Sequence, residues 1–192
     1  ERGLVVTTAA EANAIPVAEF TVAAVLFAGK RVSTIAAAYR ELRTTSLPSV
    51  GERSNYRRTV GIVGFSRIGR RVVDLLGSYD LELLVADPYA DAAEVTRRGA
   101  TLVDLDHLVA ASDVVTIHAP QLPSTRHLFD AGRLGRMRDG ATLINTARGS
   151  LVDTAALEVE CGSGRLFAYL DVTEPEPLNA DSPLWGLPNV VL

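Results

Sequence analysis

The chain has 192 residues, of which 47% are hydrophobic and 22% are charged, and this balance suits one globular domain with a sizeable core. Its formal net charge of −4 argues against a nucleic-acid-binding surface, and no apolar run looks long enough to cross a membrane. The first residues do not resemble a signal peptide. Cys161 is the single cysteine, which excludes an internal disulfide and fits a cytoplasmic protein. We expect it to be a structural thiol.

The N-terminal part of the chain predicts a short strand and a long helix. Residues 4–6 form the apolar run expected of a strand. From Pro16 to Leu42 the pattern is helical, with Pro16 acceptable in a first turn. Residues 17–28 are apolar nearly all round, so this helix must be buried on more than one side. Packing inside its own domain would satisfy this need, but we favour a subunit interface, with residues 14–42 forming a homodimer.

Strands and helices alternate after a loop predicted over residues 44–58. The strand runs are continuous and apolar, as expected for a parallel sheet that is covered on both faces. The sequence therefore predicts an α/β fold, a doubly wound parallel sheet of the Rossmann type, with its core in residues 59–192 of a single dinucleotide-binding domain, 1–192. Strands are predicted at residues 59–64, 81–86, 113–117, 141–145, 166–170 and 190–192, and helices at 67–79, 92–98, 105–111, 131–137 and 153–161.

A glycine-rich turn joins the first of these strands to its helix. The segment reads Gly64-Phe65-Ser66-Arg67-Ile68-Gly69. Backbone N–H groups at such a helix N-terminus can bind a pyrophosphate. A plain strand-to-helix turn could have the same residues, but the apolar strand before it and the helix after it favour a dinucleotide site. The candidate cofactor-binding residues here are Gly64, Ser66, Arg67, Ile68 and Gly69.

Ser66 departs from the usual dinucleotide motif. It replaces the middle glycine, which normally lets the backbone approach the pyrophosphate closely. The serine Cβ makes that approach less free, whereas the hydroxyl could donate to a phosphate oxygen.

An acid at the end of the next predicted strand supports the dinucleotide interpretation. Asp87 lies 18 residues after Gly69, and its two carboxylate oxygens suit two ribose hydroxyls. The same charge would repel a 2′-phosphate, and no arginine directly follows Asp87. We therefore predict NAD rather than NADP as the cofactor. The alternative is that Asp87 caps the helix near Asp91.

Two polar segments follow later strands at the same edge of the sheet. Residues 145–149 contain Arg148, whose planar fork of donors suits a carboxylate. Residues 171–177 contain three acids and two prolines, and the prolines stiffen the segment. Ligands of open α/β sheets bind at the carboxyl ends of the strands. Considered separately, a surface salt bridge and a solvated acidic loop would also explain these segments.

Together these motifs resemble the nucleotide-binding domain of the D-isomer-specific 2-hydroxyacid dehydrogenases. The matching segments occur in the family's order over essentially the whole chain, which makes the resemblance specific. They are residues 2–7, 12–14, 17–19, 64–69, 117–120, 123–126, 144–149, 151–153, 170–172, 176–178 and 187–190.

The resemblance implies roles for individual residues. Arg148 resembles the arginine that binds the substrate carboxylate and polarises the keto oxygen. Glu176 resembles the glutamate that pairs with a catalytic histidine, and Asp171 resembles the acid that holds the nicotinamide carboxamide. The remaining implied cofactor contacts line the cofactor groove or flank the nicotinamide; they are His118, Pro120, Thr146 and Ala147. No metal is predicted.

The family's catalytic histidine is expected a few residues beyond Leu192. His118 falls in the cofactor segment, and we expect His107 and His127 to be exposed or capping side chains. The family's substrate domain is also expected outside this chain. The resemblance therefore implies part of a larger enzyme that exchanges a hydride between NAD(H) and a D-2-hydroxy or 2-keto acid, and the chain alone should bind cofactor without turnover.

Two other classes of protein remain open from the residues. One is a non-catalytic NAD-binding protein, such as the corepressors built on the same fold, which keep the residues corresponding to Arg148 and Glu176. The other is a different NAD-dependent enzyme with a related domain, such as adenosylhomocysteine hydrolase, although segments 145–149 and 171–177 count against it.

Overall fold

The computed structural model describes residues 9–46 and 54–192. A seven-stranded sheet lies at the centre, in the order β3-β2-β1-β4-β5-β6-β7, and every neighbouring pair is parallel. The doubly wound parallel sheet is therefore confirmed. The strands are β1 (Arg58–Val63), β2 (Leu81–Ala86), β3 (Thr101–Leu102), β4 (Val114–Ile117), β5 (Thr142–Asn145), β6 (Phe167–Leu170) and β7 (Val190–Val191). The helices are α1 (Ala10–Lys30), α2 (Val32–Leu42), α3 (Arg67–Leu76), α4 (Ala92–Arg97), α5 (Leu105–Ala111), α6 (Ala131–Arg136) and α7 (Thr154–Gly162).

Helices cover both faces of the sheet. Along β1, Val60 and Ile62 belong to one apolar cluster and Val63 to the other, because successive side chains of a strand point to opposite faces. The first cluster includes side chains of α1, α3 and α4. The second includes side chains of α5, α6 and α7. Two layers of helix around one sheet explain why the strands read as continuous apolar runs.

The long N-terminal helix predicted over residues 16–42 is two helices in the structure. Arg31 separates α1 from α2 with a φ of 53°, in the left-handed region. Its guanidinium stacks 3.8 Å from the ring centre of Phe167 and donates a hydrogen bond of 2.5 Å to the carbonyl of Gly140. These contacts hold the break against the starts of β5 and β6. Pro16 lies inside α1, so its predicted place in the first turn is wrong.

One side of α1 is buried and the other is apolar but exposed. Ala18, Thr21 and Val25 are fully buried, whereas Phe20 and Phe27 are about half exposed. Within the described residues, the helix Glu11–Lys30 is long and apolar enough to cross a membrane by length and composition. The expectation that no apolar run is long enough to cross a membrane is therefore wrong by length and composition. A core helix of a globular protein passes the same test, and α1 packs as one against α3.

The remaining differences from the predicted elements are small. The short strand β3 was not predicted, and α3 ends at Leu76 rather than at residue 79. The strand predicted at residues 4–6 lies outside the described residues, as does part of the loop predicted over 44–58.

Cys161 lies at the end of α7, and its side chain is buried. Burial raises the pKa of the thiol to about 12, so it stays protonated. The expectation of a structural thiol is confirmed. The amide of Asn189 donates to the carbonyls of Cys161 and Leu166, and these two bonds attach the segment before β7 to the rest of the sheet.

Candidate functional site

The order of the sheet reverses between β1 and β4. The chain reaches β3 at one edge of the sheet and then returns to place β4 beside β1. In open α/β sheets, ligands bind in the crevice outside the carboxyl ends of the strands at such a point. The glycine turn after β1 and the His118 segment after β4 both lie at this crevice.

The two motif glycines are required by close contacts of the backbone. Gly64 has a φ of 95°, and a Cβ there would lie 2.7 Å from the backbone nitrogen of Ala119. A Cβ at Gly69 would lie 2.0 Å from the carbonyl oxygen of Gly64. The start of α3 is therefore packed directly on the turn, which is the arrangement that presents helix N–H groups to a phosphate. Ser66 is exposed at the N-cap position of α3, and within the described residues its side chain makes no capping hydrogen bond.

Asp87 is tied to the glycine turn rather than to a helix. One carboxylate oxygen accepts from the backbone N–H of Phe65 at 2.7 Å, and the other accepts from that of Tyr89 at 2.9 Å. Asp91 caps α4 by accepting from the N–H of Glu94. The capping alternative for Asp87 is therefore wrong. Its carboxylate therefore lies against the glycine turn.

His118 directly follows β4, and its side chain is buried. Its Nε2 lies 3.1 Å from the hydroxyl of Thr116, and Nδ1 has no partner among the described residues. Burial lowers the pKa of the imidazole to about 3, so the ring is neutral. The backbone N–H of His118 donates to the carbonyl of Val63 at 2.7 Å, which joins the two strand ends at the crevice. Pro120 follows as an exposed residue.

The loop after β5 is shaped by Asn145, whose side chain is buried. Its amide nitrogen donates to the carbonyl of Arg148, and its amide oxygen accepts from the N–H of Ala147. Its backbone carbonyl also accepts from the N–H of Asp171. Sequence reasoning used Asn145 only as part of a motif and missed this role. The sequence signal for this role is an asparagine at the start of a tight loop, because the side chain of asparagine forms hydrogen bonds with nearby backbone groups.

The loops after β5 and β6 touch through their backbones. A Cβ at Gly149 would lie 2.0 Å from the carbonyl oxygen of Thr173, so only glycine permits this approach. The approach brings together the loop that carries Arg148 and the loop that carries Glu176. Both of these side chains are exposed, and Arg148 donates to the carbonyl of Ala147 at 2.6 Å.

Ion pairs fasten the loop after β6 on its other side. Arg126 donates to Glu174 at 2.7 Å, and this bond lowers the pKa of that carboxyl. The ring of His127 lies 3.3 Å from Glu174 and 4.0 Å from Asp153. The interpretation of a solvated acidic loop is therefore wrong for Glu174. His127 is half-buried beside two carboxylates, rather than an exposed or capping side chain. His107 is exposed, as expected.

The other predicted cofactor residues lie around the same strand ends. Arg67 is exposed and pairs with Glu11 of α1 at 2.5 Å, whereas Ile68 packs against the core. Thr146 is buried against α1. Ala147 is half-buried, and Asp171 is exposed after β6.

The family model of the D-isomer specific 2-hydroxyacid dehydrogenase NAD binding domain matches residues 22–192. The chain belongs to this family. Among curated relatives, D-3-phosphoglycerate dehydrogenase of Archaeoglobus fulgidus is 34% identical, with 100% of this chain and 36% of the relative covered. Hydroxypyruvate reductase of Thermotoga maritima is 31% identical, with 100% of this chain and 62% of the relative covered. The chain thus spans about a third of the first relative and less than two thirds of the second.

Solved structures of the family show the same architecture. The NAD complex of a D-isomer specific 2-hydroxyacid dehydrogenase from Lactobacillus delbrueckii ssp. bulgaricus has a TM-score of 0.84 and 26% identity, covering 93% of this chain and 58% of that one. The NAD complex of formate dehydrogenase from Staphylococcus aureus has a TM-score of 0.82 and 33% identity, covering 93% and 54%. The predictions of a Rossmann-type domain and of NAD as its cofactor are confirmed.

The geometry of the turn fits the pyrophosphate of such a cofactor. Because Gly64 and Gly69 have no side chains, only backbone atoms surround the space at the start of α3, which a Cβ at either position would fill. Asp87 is held beside it by the N–H of Phe65. The buried and neutral ring of His118 closes the crevice without adding a charge.

Proposed function

We propose that this chain is the cofactor-binding part of an enzyme that interconverts D-2-hydroxy acids and 2-keto acids. The observation that carries the proposal is the backbone contact between Gly149 and Thr173, which unites the loops of Arg148 and Glu176. Arg148, the proposed cation that binds the substrate carboxylate, and Glu176, the proposed carboxylate that pairs with the proton donor, then lie at one edge of the sheet. The names of the relatives, D-3-phosphoglycerate dehydrogenase and hydroxypyruvate reductase, denote acids of this class. In this proposal residues 1–192 are one domain with a core in 59–192, and the substrate domain belongs to other parts of the protein.

The proposed cofactor contacts lie at the carboxyl ends of the strands. Backbone N–H groups of residues 64–69 bind the pyrophosphate, the hydroxyl of Ser66 donates to it, and Asp87 accepts from the ribose hydroxyls. Residues 118–120 line the groove. Thr146 and Ala147 flank the nicotinamide, and Asp171 accepts from its carboxamide. Bound NAD supplies or accepts the hydride.

The chemical roles belong to two exposed side chains. The guanidinium of Arg148 binds the substrate carboxylate through parallel N–H groups and polarises the keto oxygen. Glu176 pairs with a histidine from the rest of the protein. A carboxylate beside an imidazole raises the imidazole pKa and keeps the ring protonated, ready to give a proton to the developing alkoxide.

An assay of the whole protein tests this function. The loss of NADH absorbance is measured with glyoxylate, hydroxypyruvate and pyruvate, each as the only keto acid. We expect turnover with at least one of them. Tight NADH binding without turnover on any 2-keto acid would contradict the proposal and favour a non-catalytic NAD-binding protein.

Asp87→Ala is expected to weaken NADH binding by about 1–3 kcal/mol, because a charged hydrogen-bond acceptor for the ribose is lost. The affinity for NADPH should fall less or rise, since the charge that repels a 2′-phosphate is removed. Both affinities can be measured by isothermal titration calorimetry. Asp91→Ala is the matched control, because it removes a nearby charge that only caps α4. Unchanged NADH affinity in Asp87→Ala would refute the ribose role.

The exposed face of α1 supports a homodimer. Phe20 and Phe27 lie two turns apart on the same side of the helix and are about half exposed. A second copy of the chain would cover both rings. Sedimentation equilibrium should give the mass of two chains, and Phe20→Asp should shift the protein towards the mass of one chain.

The proposed location is cytoplasmic, which the single buried thiol of Cys161 supports.

A further inference from the structure

A buried pair of hydroxyls joins α1 to the loop after β5. Thr21 is fully buried, Thr146 is nearly so, and their Oγ1 atoms lie 3.3 Å apart. Thr21 belongs to a helix on the face of the sheet, whereas Thr146 belongs to the loop that Asn145 shapes at the carboxyl end of β5. The contact therefore fastens the loop after β5 to a helix that lies against one face of the sheet.

The direction of this hydrogen bond follows from the proton count. The Oγ1 of Thr21 donates to the carbonyl of Val17 at 2.8 Å, and a hydroxyl has only one proton to give. Because the bond to Val17 is the shorter of the two, we assign the proton of Thr21 to it, and Thr146 then donates across the 3.3 Å contact. This uses the single donor of Thr146, so its oxygen can only accept from a ligand. The amide group of a nicotinamide carboxamide is a donor of that kind.

Packing alone does not explain a threonine at position 21. A buried hydroxyl is unfavourable unless it is hydrogen-bonded, and valine would fill the same volume without that cost. Apart from Thr21, the buried side chains described on α1 are all small and apolar: Ala14, Ala18, Ala24, Val25 and Ala28. The hydroxyl of Thr21 is satisfied inside α1 by the carbonyl of Val17, and the bond with Thr146 is the additional contact that valine could not make with the loop after β5.

We propose that Thr21 is a positioning residue for the nicotinamide half of the cofactor site. It acts through Thr146, by fixing the place of the loop and the direction of its hydroxyl. The inference rests on the proposed function, in which Thr146 flanks the nicotinamide. Thr21 does not itself touch the cofactor.

Two ligands separate positioning from general stability. ADP-ribose keeps the adenosine, the pyrophosphate and the second ribose of NAD but lacks the nicotinamide. In the whole protein, Thr21→Val should weaken NAD⁺ binding by about three- to tenfold, as for one lost hydrogen bond, and should leave ADP-ribose affinity within about twofold. Thr21→Ser keeps the hydroxyl and should bind both ligands like the wild type. The affinities are measured by isothermal titration calorimetry, with circular dichroism to verify the fold.

The outcomes discriminate clearly. Equal losses for NAD⁺ and ADP-ribose, or no loss for either, would overturn the inference, as would a Thr21→Ser variant no better than Thr21→Val. If the valine variant does not fold, Thr21→Ala removes the same hydroxyl without overpacking the site, and the same split between ligands is required. If the wild-type protein binds neither NAD⁺ nor ADP-ribose, the proposed function is overturned as well. If the wild type and the variants bind both ligands equally, only the role of Thr21 is overturned.

Discussion

Arg148→Ala in the whole protein is expected to lower kcat/KM for 2-keto acids by about 10²–10³-fold, as for loss of a donor aimed at the reacting oxygen. The NADH affinity should change little, because the loop backbone does not depend on this side chain. Asn145 holds the loop through the carbonyl of residue 148 and the N–H of Ala147. The guanidinium itself is exposed and, among the described residues, donates to the neighbouring carbonyl of Ala147, so it can turn to a substrate.

Two further substitutions define what Arg148 contributes. Arg148→Lys keeps the positive charge but loses the planar fork, so its kcat/KM should lie between those of the wild type and the alanine variant. Arg97→Ala removes an exposed arginine from α4 and should have near-normal kinetics. A near-normal kcat/KM in Arg148→Ala would exclude it as the carboxylate-binding residue.

Features set by neighbouring residues were predictable from the sequence. The bounds of β2 and α5 agree with the structure, because each is a periodic segment bordered by clear end signals. Asp104 caps α5 by accepting from the N–H of His107, and such a cap is visible as an acid before an apolar run. The glycine turn was predictable for the same reason, since strand, turn and helix follow one another directly.

Features set by distant residues were not predictable. Gly29 and the two basic residues after it are only weak local signals of a helix end. The left-handed conformation of Arg31 is accompanied by contacts with Gly140 and Phe167, more than a hundred residues away. The pairing of Thr21 with Thr146 and of Arg126 with Glu174 is likewise absent from any local pattern. Sequence periodicity assigns a residue to a face of an element, whereas the partner on another element depends on how the elements pack.

His118 should make the stability of this chain depend on pH in a mildly acidic range. Burial lowers the pKa of its imidazole to about 3 in the folded chain, compared with about 6.5 for an unperturbed histidine. Between these values the unfolded chain binds a proton that the folded chain does not, so the free energy of unfolding decreases as the pH falls. Between pH 7 and pH 5 the loss should be about 2 kcal/mol, from a slope near 1.4 kcal/mol per pH unit below the unfolded pKa.

Urea unfolding at pH 7 and pH 5 measures this effect. His118→Gln should lose the pH-dependent part even if it is less stable at both values, because glutamine does not titrate. His107→Gln, which changes an exposed histidine on α5, is the control and should keep the wild-type dependence. Glu174 does not confuse the comparison, since Arg126 lowers its pKa and its stabilising contribution is lost only at lower pH. An identical loss in the wild type and His118→Gln would contradict burial as the cause.

The same burial decides what His118 can do in the reaction. A ring with a pKa near 3 lacks the acidic second proton of an imidazolium at neutral pH, and its Nδ1 is enclosed where no partner is described. His118 can therefore shape the cofactor crevice but cannot act as the proton donor. The charged histidine that Glu176 would stabilise must differ from it, and the ring of His127 lies beside Glu174 and Asp153 rather than beside Glu176. In the proposed chemistry, Glu176 pairs with a histidine from elsewhere in the whole protein, as the resemblance to the family implies, at the edge of the sheet where Arg148 and Glu176 are exposed.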